Sequence, residues 1–193
     1  MLNNRAKEVI LQATLDAIAE RSISNTSMQV IAEKAGVKQP NLHYYFNTKK
    51  ELLLQLIEWM EAHYQQLREQ YVDHGATFEE KMAGHFAQEQ YVMEHEPAYT
   101  KVSFDLWGLA QSDPDINQYY AHTYGVWRQW ISDTIAQHMP HVSEEQRNLT
   151  AAMMVSMMMG AALQYLSNPD AFDLNRYMSY CLSTVLLSLE QPK

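Results

Sequence analysis

Between Ser27 and Lys49 the chain reads SMQVIAEKAGVKQPNLHYYFNTK, a stretch that leaves few ways to fold. Met28, Ile31 and Ala32 recur at helical spacing, and Ala35-Gly36-Val37 then breaks the pattern. Thr26 is placed to cap this first helix, with Gln29 three residues on at capping-box spacing. Gly36 suits a left-handed residue at the helix end, because it has no Cβ to clash. A second helix is expected to start near Lys38–Pro40, since the missing N–H of Pro40 costs nothing in a first turn. Leu42, Tyr45 and Phe46 give that helix an inward stripe and leave Gln39, Asn41, His43 and Tyr44 facing elsewhere. Asn47-Thr48 ends it and can cap a third helix from Lys49. Two short helices around a glycine turn have the shape of a helix-turn-helix, whose second helix enters the DNA major groove. An ordinary helical hairpin has the same spacing, so spacing alone leaves both readings open.

A wider set of residues resembles the DNA-binding domain of the TetR family of bacterial transcriptional regulators. The matching segments are Ala19-Glu20-Arg21-Ser22, Thr26-Ser27-Met28, Ile31-Ala32, Ala35-Gly36-Val37, Leu42-His43-Tyr44-Tyr45-Phe46 and Thr48-Lys49-Lys50-Glu51-Leu52. They run in order without gaps over about the first quarter of the chain. Four positions depart from the family pattern. Ser22 and Pro40 stand where glycine is usual or frequent, Lys38 where a capping serine is usual, and His43 where tyrosine is frequent. A looser resemblance to the ligand-binding body of one branch of the family lies further on. It rests on Ser112-Asp113-Pro114-Asp115-Ile116 with Trp127-Arg128, and on Gly160-Ala161-Ala162-Leu163-Gln164 with Asn168-Pro169-Asp170.

The net charge of −9 is at first sight wrong for a DNA binder. Its distribution resolves this. Residues 1–50 hold seven Lys and Arg against four acids, a net +3, which leaves −12 on the remainder. A basic head on an acidic body is expected where only the head meets phosphate. One cysteine, Cys181, excludes an intrachain disulfide framework and a cysteine metal cluster. Together with an N-terminus lacking an apolar leader, this points to the reducing cytoplasm. The most apolar run, 151–163, falls short of the roughly 20 residues a membrane span needs, so no membrane partner is expected.

The rest of the chain reads as helix throughout. Helices are expected over 4–20, 49–71, 78–94, 98–110, 116–138, from Ser143 to Leu166, and over 174–189. Asn3 or Asn4 is placed to cap the first, and Ser143 with Gln146 fits a capping box. The predicted fold is all-α: a helix-turn-helix domain over 1–50, joined through a long helix to a helical ligand-binding and dimerisation domain over 51–193.

The resemblance implies roles for particular residues. Gln39, Pro40 and Asn41 occupy positions that reach bases, and Gln29 on the preceding helix is a second base-edge candidate. Gln and Asn side chains pair with adenine in the major groove, and proline offers apolar surface to a thymine methyl. Ser27, Tyr44, Tyr45 and Lys49 match phosphate-contacting positions; Lys38 adds a charge there, and His43 suits either task. In the body, Phe86, Phe104, Trp107, Tyr120, Tyr124, Trp127, Met153 and Met157 are candidates to line an effector pocket, with Glu89 and Asp105 as counter-charges for a cation. A plain aromatic and methionine core fits the same pattern. The two C-terminal helices are expected to pair with those of a second copy.

No catalytic or metal-binding residues are assigned. His138 and His141 are separated by Pro140, and neither a nucleophile elbow nor a glycine-rich phosphate loop is present. No cofactor and no enzymatic activity are expected. The reading is a homodimeric regulator, most simply a repressor, that leaves a palindromic double-stranded operator when a small-molecule effector of unknown class binds. The alternative is a helical small-molecule-binding protein that has lost or altered DNA reading.

Overall fold

The computed structural model describes residues 2–190, with side chains from Arg5 onward. Nine α-helices and no strand occur among the described residues. They are α1 (Leu2–Arg21), α2 (Met28–Lys34), α3 (Gln39–Tyr45), α4 (Lys49–Arg68), α5 (Phe78–His95), α6 (Pro97–Ala110), α7 (Pro114–His138), α8 (Glu144–Ser167) and α9 (Leu174–Glu190). A π-helical turn, Glu69–Asp73, follows α4, and a 3₁₀ turn, Pro169–Ala171, precedes α9. The chain divides into two compact units, Met1–His63 with Ala98–Tyr120, and Tyr64–Pro97 with Ala121–Lys193.

The first unit is built on an apolar cluster. Ile10, Leu15, Ile31, Leu42, Phe46, Leu52 and Leu56 are each at most 1% exposed. The Lys7 ammonium lies 5.5 Å from the Phe46 ring centroid and donates to Gln55 at 2.8 Å, so a charged head and an apolar stem serve the same corner. Lys50 bridges to Asp113 at 2.9 Å and Asp115 at 2.5 Å, fastening α4 to the first turn of α7. Asp113 also caps α7, accepting from the N–H groups of Asp115 and Ile116. The motif around Pro114 is thus a helix start held by a lysine.

Two caps differ from the sequence expectation. Ser27, not Thr26, caps α2, accepting from the Val30 N–H at 3.3 Å. Thr26 is buried and donates instead to the Ser22 carbonyl, with a longer contact to that of Ala17. Ser143 does cap α8, but Gln146 does not reach back to close a box; its amide donates to the Ser188 carbonyl. A full box forms elsewhere, at Thr77 and Glu80. The proposed caps Asn3 and Asn4 lie outside the residues whose side chains are described.

In the second unit α8 packs on α9 and α5, and α5 on the π turn. Met82, Val92, Met154, Met158, Ala161, Met178 and Val185 are buried to within 3%. The apolar run reads shorter in sequence than the helix that carries it. α8 extends over 24 residues, and an 18-residue stretch within it has a mean hydropathy of 1.4, enough by length and composition to cross a membrane. Its inner face is spent on protein packing, with Ala151, Met154, Met158 and Ala161 fully covered.

Candidate nucleic-acid interface

The turn between α2 and α3 is made as the glycine requires. Gly36 has φ of 68°, and the Val37 N–H returns to the Ala32 carbonyl at 2.9 Å. Leu42 and Phe46 then bury completely. That anchoring fixes the rotation of α3, so Lys38, Gln39, Pro40, Asn41 and His43 all lie exposed on the opposite side. Tyr44 is 78% exposed, while Tyr45 is half-buried and packs edge-on against it, centroids 5.1 Å apart. Lys38 is the N-cap residue of α3 and supplies no side-chain cap bond, as its replacement of serine implies.

Three candidates have other engagements. Ser27 is occupied as the α2 cap. Gln29 donates to Glu33 along its own exposed helix face at 3.0 Å. Lys49 is half-buried and its ammonium donates to the Ile23 carbonyl, with burial pulling its pKa below the ordinary lysine value and the nearby Asp105 opposing that shift. Asp105 itself accepts from the Ile23 N–H. The residue read as an effector counter-charge is committed to the backbone leading into α2. Ser22, just upstream, has φ of 73°. Only its departure from a glycine position hints at this in sequence.

The chain matches two family models over these elements. Residues 10–56 match the model for bacterial regulatory proteins of the TetR family, and residues 89–187 match that for the C-terminal part of BetI-type transcriptional repressors. The chain belongs to the TetR family. It is a TetR-family transcriptional regulator with an N-terminal helix-turn-helix. A curated relative, the transcriptional repressor KstR2 of Mycolicibacterium smegmatis, is 26% identical over 103 residues, 51% of this chain; the chain spans about half the length of that relative. Solved structures share the fold. A transcriptional regulator from Rhodococcus sp. Rha1 superposes with a TM-score of 0.83 at 16% identity, covering 97% of this chain and 99% of its own. A regulator from Saccharomonospora viridis in complex with choline gives 0.84 at 18% identity, covering 95% and 96%. FadR of Bacillus subtilis in complex with stearoyl-CoA gives 0.78 at 18%, covering 94% and 98%.

The effector candidates of this TetR-family chain fall in both units. In the first, Phe104 is partly buried, Trp107 is 51% exposed, and the Tyr120 hydroxyl donates to the Ser103 carbonyl. In the second, Phe86 is 3% exposed, Tyr124 and Trp127 stack with centroids 6.3 Å apart, and Met153 and Met157 are partly buried on α8. Burial raises the Glu89 carboxyl to about 7; burial, with the Glu89 charge adding to it, also raises the Tyr124 phenol. Sequence reasoning missed Arg68 and His85. The Arg68 guanidinium carbon lies 3.0 Å from the Trp130 ring centroid. His85 is 2% exposed, and burial, with Arg68 and Lys81 nearby, lowers its pKa to about 4. A histidine within an apolar helix stretch was the available signal. The arginine at the end of α4 offered none.

Proposed function

We propose that this chain is a homodimeric repressor that holds a palindromic operator with residues 1–50 and releases it when a small molecule binds within residues 51–193. The observation that carries the first half is the rotation of α3, with Leu42 and Phe46 buried and Gln39, Pro40 and Asn41 exposed beside Lys38 and Tyr44. Gln39 and Asn41, with Gln29, read base edges; Lys38, His43, Tyr44, Tyr45, Ser27 and Lys49 serve the phosphate backbone. The match to a BetI-type repressor model supports repression, and the choline and stearoyl-CoA complexes of its structural neighbours support effector control. Phe86, Tyr124, Trp127, Met153 and Met157, all in the second unit, are the proposed lining; Phe104, Trp107 and Tyr120 belong to the first. The pairing surface is proposed on α8 and α9, where Leu163, Tyr180 and Leu187 are 59%, 73% and 60% exposed. Such a protein works in the cytoplasm.

The test is a footprint of the purified protein on its own upstream intergenic DNA, titrated with salt. A two-fold footprint with a steep salt slope supports the reading. Weak binding at every sequence, even at low salt, overturns it in favour of a ligand-binding protein without DNA reading.

A further inference from the structure

Two buried nitrogens in the unit formed by 64–97 and 121–193 have no hydrogen-bond partner: Nη1 of Arg68 and Nε2 of His85. Folded proteins rarely leave such groups unpaired, so each one calls for a specific explanation. Arg68 closes α4 at the point where the chain enters the π turn, and single π turns recur at functional sites. Its guanidinium lies against Trp130. A guanidinium on an aromatic face keeps its in-plane N–H edge for a planar, two-oxygen acceptor.

The backbone around the pair is closely packed. A Cβ at Gly84, the residue before His85, would lie 2.1 Å from the Tyr71 carbonyl oxygen of the π turn. The neighbouring charges are already placed. Glu69 and Asp73 act on Arg68 from exposed positions, yet neither forms an ion pair with it among the described residues. Lys81 reaches back toward the Val72 and Asp73 carbonyls at 3.5 and 3.4 Å. Glu89, one turn along α5, has Tyr124 as its electrostatic neighbour.

We propose that Arg68 and His85 seat the head group of the effector, and that this effector is an organic monocarboxylate with an apolar body. This rests on the reading of the body as effector-binding. A carboxylate meets the Arg68 fork with two oxygens, while a neutral His85 donates from Nε2 in the matching tautomer. One cation and one neutral imidazole balance a single negative charge. A phosphate dianion would keep an uncompensated buried charge. The Trp130 ring, against which the guanidinium lies, supplies an apolar face beside the head group.

The full-length protein, without DNA, is titrated with octanoate and benzoate by calorimetry, against octanamide, benzamide and inorganic phosphate. At least one carboxylate is expected to bind tenfold or more tightly than its amide, with phosphate weaker than both. Arg68→Gln is expected to erase that preference, and Arg68→Lys, which keeps the charge, to retain part of it. If Arg68→Gln fails to give a native circular-dichroism spectrum, His85→Phe, which removes the donor alone, is to reduce the preference. Equal binding of acid and amide, preference for phosphate, no binding of either carboxylate, or a preference unchanged in these variants overturns the proposal. Because DNA is absent, failure here is distinct from failure of the operator footprint.

Discussion

The Asp105 carboxylate accepts a hydrogen bond from the backbone N–H of Ile23, 82 residues away in sequence, while Lys49 donates to the carbonyl of the same residue. The segment entering α2 is therefore held on both its polar backbone groups by side chains from α6 and α4. Ile23 is 7% exposed, so its N–H has no easy recourse to water. Asp105→Ala is expected to destabilise the protein by about 1–3 kcal/mol, the cost of stranding a buried donor. Asp105→Asn, which keeps an acceptor, is expected to cost less. Urea-denaturation midpoints check the order; equal loss from both would remove the hydrogen bond as the cause.

Ser22 holds a left-handed backbone that glycine adopts freely and other L-residues adopt at about 1–2 kcal/mol. Ser22→Gly loses the contacts of its hydroxyl with Ser24 and Asn25, both exposed. The net expectation is a gain of about 0.5–1 kcal/mol, read as a rise in melting temperature. No change or a loss would show that those contacts outweigh the backbone strain.

In the proposed interface Lys38 serves affinity and Asn41 serves specificity. Lys38→Ser adds the side-chain cap that α3 lacks, worth about 1 kcal/mol, and removes the charge proposed to meet phosphate. The variant is expected to be more stable, yet to bind all DNA less tightly, with a salt slope lower by about one. Asn41→Ala is expected to lose about 1–3 kcal/mol of discrimination at one base pair per half-site. Uniform loss on every sequence from Asn41→Ala would sink the division.

The pH dependence of stability contains two opposed contributions. His85 has its pKa lowered from 6.5 to about 4, so its contribution is present above 6.5 and is lost as pH falls toward 4. Glu89 has its pKa raised from 4.5 to about 7, so its contribution is present below 4.5 and is lost as pH rises toward 7. Each amounts to something on the order of 3 kcal/mol, and they oppose one another between 4.5 and 6.5. Glu89→Gln is expected to unmask the histidine, giving stability that rises from pH 4.5 to 6.5. Denaturation midpoints across that interval test it; a flat profile in the variant would contradict the buried neutral His85.

The proposed pairing surface is open to a direct test. Tyr180 and Leu187 are exposed within the chain, so charge there leaves the monomer core intact. Leu187→Glu is expected to shift the protein to monomer in sedimentation and to abolish the two-fold footprint. A dimer that survives Leu187→Glu with Tyr180→Glu would place the interface elsewhere.

The helices and the glycine turn were legible because they depend on local chemistry. Gly36, Pro40 and the Leu42/Phe46 stripe each state their backbone requirement within a few residues. Caps were legible only where no other carbonyl competed for the side chain. Thr26 was drawn inward by the Ser22 and Ala17 carbonyls, and Gln146 was claimed by Ser188, across a helix pair. The exposed face of α3 could be listed from the pattern, whereas the engagement of Lys49 with Ile23 could not. In the body, aromatic spacing identified candidates but not their surroundings. Nothing near Arg68 in sequence announces Trp130, and one extra residue in the π turn shifts the helical pattern too little to see.

That π turn and Gly84 also form a matched pair in heredity. Any side chain at position 84 would drive into the Tyr71 carbonyl, so its damage is written in the 69–73 segment as much as in α5. Genetic suppressors of a defective Gly84→Ala protein should therefore gather among residues 69–73. Loss of a single residue there, rewinding the π turn to an ordinary helix, is the simplest of them.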